Sequence, residues 1–365
     1  MPTILVTGGA GYIGSHTAKR LLEADYHVVV LDNMRTGHRW AIERLRRLAE
    51  QGSSQFVFVQ GDVADTALVV RLVHEYGVEA AVHFAALSLV GESMQHPERY
   101  FAENVAKGIA LFNALVVAGV RYVVFSSTAA VYGIPERVPI AEDTPTHPLN
   151  PYGASKRMLE EALRWLGEVH PFRSISLRYF NAAGADPDGW LGEAHDPETH
   201  LIPLAIRSVL CPDEDRVAQL LGYSPTQDQP LDRPPLRLFG TDYPTPDGTC
   251  IRDYIHVSDL AEAHVVALEA LLDGHPTDCW NVGTGEGYSV RQVIDAVERV
   301  TGRTVPVVEA PRRPGDPPVL VAEAKKLKRL GWEPKYTELR AIVHTAWRWH
   351  NAALELVPSS QNRAI

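Results

Sequence analysis

Thr3-Ile4-Leu5-Val6-Thr7-Gly8-Gly9-Ala10-Gly11-Tyr12-Ile13-Gly14 runs a short apolar strand into a glycine turn and a helix start. A strand without polar alternation is buried on both faces, as in parallel sheets. Beyond the turn, Ala18, Leu21 and Leu22 recur at helical spacing. Gly8, Gly11 and Gly14 make the pattern G-x-x-G-x-x-G, with Tyr12 and Ile13 between the last two. Glycines at such a turn let backbone amides approach a pyrophosphate at the positive end of the helix. Residues 27–31 read as a second strand ending in Asp32, 18 residues past Gly14, with Asn33 next. A carboxylate at that place accepts from adenosine ribose hydroxyls and repels a 2′-phosphate, which points to NAD. Arg35 is the one nearby feature that favours NADP.

The alternation continues outward. Phe56–Gln60 is a strand followed by Gly61-Asp62-Val63, with Asp62 placed to meet the adenine amino group. Residues 80–84 form another, running through Phe84 into Ala85-Ala86, small residues that let the backbone approach a cofactor. A helix then carries Val105, Ile109, Phe112 and Val116 along one stripe, with Asn104 near its start. Residues 122–125 form a strand that stops at Ser126-Ser127-Thr128. Strands alternating with helices imply a doubly wound parallel sheet that binds ligands at the carboxyl ends of its strands. Asp32, Asp62, Ala85 and Thr128 all fall at such ends.

The chemistry is expected at Asn150-Pro151-Tyr152-Gly153-Ala154-Ser155-Lys156. Asn150 is a helix cap and Pro151 suits the first helical position. Leu159, Ala162, Leu163 and Leu166 share one face of the helix that follows. Tyr152 and Lys156, four apart, are neighbours on its surface. A free tyrosine, with a pKa of about 10, is a poor base at neutral pH. A neighbouring ammonium and the positive helix end both favour the phenolate, making Tyr152 a general acid/base. Thr128, 24 residues earlier, offers a hydroxyl to the same substrate oxygen. Tyr-x-x-x-Lys alone more often marks a solvated helix face, so the weight rests on its company.

At 365 residues the chain exceeds one comfortable core. The expected fold is α/β: a Rossmann-like doubly wound parallel sheet with a smaller mixed α/β C-terminal substrate domain. The division expected is 1–180 for NAD binding, with return segments near 250–283, and 181–365 for the substrate. A net charge of −10 argues against nucleic acid or an anionic membrane as partner. Cys211, Cys250 and Cys279 lack paired spacing and read as reduced thiols of a cytoplasmic protein. No charged leader precedes the first strand, and no apolar run reaches membrane-spanning length.

The second half is loop-rich from Asn181. Glu193, His195, Asp196, Glu198 and His200 cluster, but at no standard ligand spacing, and hydride chemistry needs no metal; a loop covering the substrate is expected and no metal site. The proline-rich stretch 212–235 reads as an exposed, semi-rigid insertion. Ser258 or Asp259 is expected to cap a helix running through Leu272, and residues 280–282 to return a strand to the first domain. Leu339, Ile342, Val343, Ala346 and Trp347 mark a late amphipathic helix, and residues 358–365 a loose end.

Thr7-Gly8-Gly9-Ala10-Gly11-Tyr12-Ile13-Gly14, Ser126-Ser127-Thr128-Ala129-Ala130-Val131-Tyr132-Gly133, Pro151-Tyr152-Gly153-Ala154-Ser155-Lys156 and Arg178-Tyr179-Phe180-Asn181 together resemble the extended short-chain dehydrogenase/reductase superfamily. Val90-Gly91-Glu92-Ser93, the stretch from Asp242 to Thr249, Arg252-Asp253-Tyr254-Ile255-His256-Val257 and Arg312-Arg313-Pro314-Gly315-Asp316 narrow the resemblance to its UDP-glucose 4-epimerase branch. The likeness runs from Thr3 to about Trp349. It implies that NAD is kept through a hydride transfer out and back at sugar carbon 4. Tyr152 would move the 4-hydroxyl proton, Thr128 would bond the same oxygen, and Lys156 would also hold the nicotinamide ribose. Implied cofactor contacts are Gly8, Gly11, Tyr12, Ile13, Gly14, Asp32, Asn33, Asp62, Val63, Phe84, Ala85, Ala86, Asn104, Ser126, Tyr152, Lys156, Tyr179 and Phe180. The nucleotide sugar would meet Thr128, Tyr152, Asn181, His200, Leu201, Leu238 and Phe239, with Arg252 and Arg313 on the diphosphate and Asp316 on the ribose.

The chain departs from the branch at Ser88, where several members carry lysine, and at His200, where some carry asparagine. Dehydratase relatives place Asp-Glu after the catalytic threonine; Ala129-Ala130 cannot do that acid/base work. Leu320 stands where the branch gates room for an acetamido group. UDP-pentose or UDP-N-acetylhexosamine 4-epimerisation is the alternative within enzymes, and a non-catalytic NAD-binding regulatory protein the alternative outside them. The resemblance also implies a homodimer through residues 104–117 and 151–170.

Overall fold

A computed structural model describes residues 1–210, 214–222, 234–313 and 315–351. Its first half alternates as the residues dictate: β1 (Thr3–Thr7), α1 (Tyr12–Glu23), β2 (His27–Asp32), α2 (Arg39–Ala49), β3 (Phe56–Gln60), α3 (Thr66–Tyr76) and β4 (Val78–His83). Two short helices, α4 (Val90–Gln95) and α5 (Pro97–Tyr100), lead through a π-helical turn at Phe101–Ala106 into α6 (Lys107–Val117). Then come β5 (Tyr122–Ser126), α7 (Pro151–Val169) and β6 (Arg173–Tyr179). The second half holds β7 (Asn181–Ala183), α8 (Leu201–Val209), α9 (Arg216–Leu220), β8 (Leu236–Phe239), β9 (Ile251–Arg252), β10 (Tyr254–His256), α10 (Val257–Leu272) and β11 (Asp278–Val282). It closes with β12 (Tyr288–Ser289), α11 (Val290–Thr301), β13 (Val307–Ala310), β14 (Val319–Leu320), α12 (Lys325–Arg329) and α13 (Leu339–Asn351).

Seven strands form one parallel sheet in the order β11-β6-β5-β4-β1-β2-β3. Successive residues of a strand face opposite sides of a sheet. Accordingly Ile4, Val6, Val28 and Val30 enter the core under α1, α2 and α10, while Leu5, Val29 and Leu31 enter the core under α3, α6 and α7. Both sides are apolar because both are covered. A smaller C-terminal domain builds its own core, packing Ile206, Val293, Val297, Ile342 and Val343 of α8, α11 and α13 together. The order reverses between β1 and β4, the switch point where doubly wound sheets open a ligand crevice.

Several details differ from expectation. The fourth strand spans Val78–His83 rather than 80–84, so Phe84 already belongs to the crevice loop. The α10 cap is His256, whose ring accepts from Ser258 N at 3.1 Å, rather than Ser258 or Asp259. Of the stripe Val105, Ile109, Phe112 and Val116, Phe112 is buried, while Ile109 is exposed and lines a surface groove with Phe112, Ala162, Trp165, Leu166 and Val169. In the stretch read as an exposed insertion, Arg216–Leu220 is helical, and Asp215, Arg216, Val217 and Ala218 are buried. The tertiary contact of α9 with α13 overrides what prolines on either side suggested. Residues 212–213 and 223–233 of that reading, with Cys211 and the end at 358–365, lie outside the described residues. Among the described residues no helix is long and apolar enough to cross a membrane.

Candidate active site

The glycine turn sits where β1 and β4 end side by side. Gly8 adopts φ +73°, and a Cβ there would lie 2.6 Å from the Ala85 backbone nitrogen. A Cβ on Gly14 would lie 2.2 Å from the Gly8 carbonyl oxygen. Helix α1 begins at Gly11 with no side-chain cap and no acid in its first turn, which leaves its positive end available to an anion. Tyr12 is buried and its hydroxyl donates to Gly184 O at 2.7 Å, tying the turn to the second half of the chain. Ile13 is partly buried against the core beside it.

At the end of β2, Asp32 accepts from Ala10 N (3.0 Å) and Met34 N (2.8 Å). Burial raises its pKa against those bonds. Asn33 donates to Asp62 Oδ2 at 3.1 Å, and Lys107 Nζ reaches the same oxygen at 2.8 Å. Burial pushes Asp62 up, but Lys107 and the other donors outweigh it, and its pKa falls. Val63 is buried next to it. Arg35, the candidate for a 2′-phosphate, pairs with Glu103 at 3.2 Å. A glycine cradle, a bare helix start and a carboxylate at the ribose position fit NAD. Asn104 is buried on the π-helical turn and clasps the loop after Phe84-Ala85-Ala86: it accepts from Leu87 N (2.8 Å) and donates to Leu87 O and Ser155 Oγ (3.0 Å each).

The catalytic candidates meet at the end of β5. Asn150 caps α7 by accepting from Gly153 N at 2.8 Å, which places Tyr152 in the first turn. Thr128, whose hydroxyl accepts from Ala130 N at 3.1 Å, is near enough to Tyr152 to lower its pKa. Lys156, 2 % exposed, donates to Ser126 O at 2.7 Å with its nitrogen 4.9 Å from the Phe125 ring centre. Ser126 Oγ and the Tyr179 hydroxyl are 2.6 Å apart. The spacing argument expects a lowered tyrosine; in the folded chain burial dominates instead. It pushes Tyr152 up to about 12, with the Thr128 hydroxyl opposing. Burial also lowers Lys156 to about 7, with Glu160 opposing.

Sequence reasoning missed what lies beneath. Glu160, one turn past Lys156, accepts from Arg178 Nε (2.9 Å), Arg178 Nη2 (2.7 Å) and Ser127 Oγ (2.5 Å). Arg178 Nη1 donates to the Tyr132 hydroxyl at 3.1 Å, which donates to Asn281 Oδ1 at 2.7 Å. Removing one partner of a buried pair like this costs about 3–5 kcal/mol. The available signal was a carboxylate on the apolar face shared with Leu159 and Leu163.

Toward the smaller domain, Phe180 and Leu320 pack with Ala129, Val131, Tyr132, Ile140 and Ala322. Asn181 is exposed at the start of β7. Leu238 is buried, and Arg313 lies over the Phe239 ring, 4.1 Å from its centre. Arg252 pairs with Asp316, so two expected substrate contacts hold each other. His200 precedes Leu201 at the start of α8 and contacts Glu193. Ser88 is exposed.

Residues 4–283 match the model of the NAD dependent epimerase/dehydratase family. The chain belongs to that family. Residues 241–345 also match a GDP-mannose 4,6 dehydratase model. A UDP-glucose 4-epimerase of Azospirillum brasilense is 48% identical over 96% of this chain and 92% of its own. The crystal structure of UDP-glucose 4-epimerase from Brucella ovis in complex with NAD superposes with a TM-score of 0.83 at 42% identity, covering 95% of this chain and 98% of that one. A UDP-glucose 4-epimerase from Stenotrophomonas maltophila, with bound NAD and formylated UDP-arabinopyranose, gives 0.85 at 38% identity, covering 96% and 98%. The family's cofactor, NAD, matches the fit of the glycine turn and Asp32.

Proposed function

We propose that the chain interconverts UDP-glucose and UDP-galactose by transient oxidation at sugar carbon 4. The carrying observation is that buried Tyr152, in the first turn of α7, and buried Lys156, one turn on, stand with Thr128 just past the end of β5, where Lys156 Nζ donates to Ser126 O at 2.7 Å. Bound NAD supplies a reversible hydride acceptor. Tyr152 Oη takes the 4-hydroxyl proton as the carbon is oxidised and returns it when the carbonyl is reduced on its other face. Thr128 bonds the same oxygen and keeps it within reach. Lys156 brings the positive charge that a phenolate needs in a buried site. Arg252 and Arg313 engage the diphosphate, which requires Arg252 to exchange its Asp316 partner for the ligand. Asp316 then serves the ribose, with Leu238 and Phe239 at the base and Asn181, His200 and Leu201 at the sugar. Asn33, Asp62, Val63, Phe84, Ala85, Ala86, Asn104, Ser126, Tyr179 and Phe180 line or brace the cofactor side.

Residues 1–180 with the return segments 250–283 would hold NAD, and 181–365 the sugar. The exposed apolar groove of α6 and α7, with Trp165 57% and Val169 74% exposed, supports a homodimer through those helices. The thiols Cys250 and Cys279 are free, as expected in the cytoplasm. A UDP-pentose is the second reading, favoured by the formylated UDP-arabinopyranose in a 38% identical relative. Incubating the protein, without added cofactor, with UDP-galactose, UDP-xylose and UDP-N-acetylglucosamine separates these by chromatography. Turnover of UDP-galactose to UDP-glucose is expected. Turnover of only the pentose or only the acetylated sugar moves the assignment, and no turnover of any removes it.

A further inference from the structure

From Gly184 to His200 the chain has neither helix nor strand. Four of its side chains nevertheless converge. Glu193, His195, Glu198 and His200 each offer one donor atom, and all four atoms lie within 4.8 Å of one another. His195 Nδ1 is 2.9 Å from Glu193 Oε1, and His200 Nδ1 contacts that same oxygen. His195 Nδ1 is 3.9 Å from Glu198 Oε1. Both imidazoles thus turn the same ring nitrogen toward one point.

We propose that these four residues form a site for one divalent cation of the zinc type, which staples this segment over the glycine turn. Two nitrogens and two carboxylate oxygens suit zinc; calcium and magnesium prefer oxygen donors in larger number, and copper(I) prefers sulfur. Ligand bonds of about 2.0–2.2 Å in a tetrahedron set donors about 3.3–3.6 Å apart. To reach that value the two imidazole contacts to Glu193 Oε1 would open and the wider separations, up to 4.8 Å, would close.

The competing account is a closed network of two imidazoliums and two carboxylates, neutral without any metal. The backbone favours a built site. Glu193 is 3% exposed, and its carbonyl accepts from Trp349 Nε1 at 2.8 Å. Ala194 O bonds His38 Nε2 at 2.6 Å. The donors therefore stand on a fixed frame. The His195 ring packs edge-on against Tyr12, centres 6.0 Å apart, which joins the site to the first turn of α1. The role is structural: the ion would take His200 through Nδ1, leaving Nε2 for the sugar side proposed for this residue.

The test uses the full chain, stripped with EDTA and titrated with zinc chloride against a chromophoric chelator, with metal content read by mass spectrometry. One equivalent per chain is expected, with affinity at least tenfold weaker in His200→Ala and in His195→Gln. Both side chains are partly exposed, so both variants fold, which circular dichroism checks. Zinc should raise the melting temperature of the unaltered chain alone, and cobalt should give tetrahedral absorption bands that both variants lose. No bound zinc, or equal affinity in the unaltered chain and both variants, overturns the site.

Discussion

At the scale of single residues, Tyr152 has two opposed needs. It must be buried to exclude water, and burial, with the Thr128 hydroxyl opposing, pushes its pKa to about 12. The epimerase reading answers this with Lys156, four residues and one turn on, and with the helix start at which Tyr152 itself sits. Tyr152→Phe should lower kcat by about 100- to 10,000-fold, the usual contribution of a positioned acid/base, while NAD stays bound; steady-state kinetics and cofactor content check both halves. Lys156 carries its own signature. Its folded pKa, lowered by burial to about 7, lies below the unfolded value of 10.5. Between those pH values the unfolded chain binds more protons, so stability rises with pH. Urea melts of Lys156→Met across that window should lose this rise. Tyr152, Lys156 and Thr128 were legible because their spacing follows helix geometry and strand ends. Glu160 with Arg178 was not, because pairing across 18 residues is set by where β6 lies beside α7.

At the scale of elements, the turn after β1 is where backbone shape decides function. Gly14→Ala puts a methyl 2.2 Å from the Gly8 carbonyl, so the turn must open or α1 must shift. NAD affinity should fall at least tenfold, measured by calorimetry on refolded, cofactor-free protein. Strands β1 to β5 were readable because both of their faces carry apolar side chains. Their ends were read less well: β4 stops at His83, and a hydrogen bond from Phe84 N to Thr7 O, a matter of register between β1 and β4, sets the loop that follows. The α10 cap escaped for a similar reason, since a histidine accepting through its ring is not among the usual capping side chains. The four groups of Glu193, His195, Glu198 and His200 converge through an irregular segment, where no period links spacing to position.

At the scale of the molecule, the chain builds a core against the sheet and a separate core in its second half, and β11 returns to the sheet after β10. The apolar groove on α6 and α7 is the surface that a second copy would cover. Trp165→Asp should convert a dimer to a monomer in light scattering with little change in melting of the chain itself, because Trp165 is 57% exposed. The central claim concerns the hydride, which leaves and returns to one carbon inside one molecule. Incubation with UDP-galactose carrying deuterium at carbon 4, followed by NMR and mass spectrometry, tests it most directly. The expected product is UDP-glucose with the deuterium still on carbon 4; UDP-glucose with that label lost to solvent, or no product at all, contradicts it.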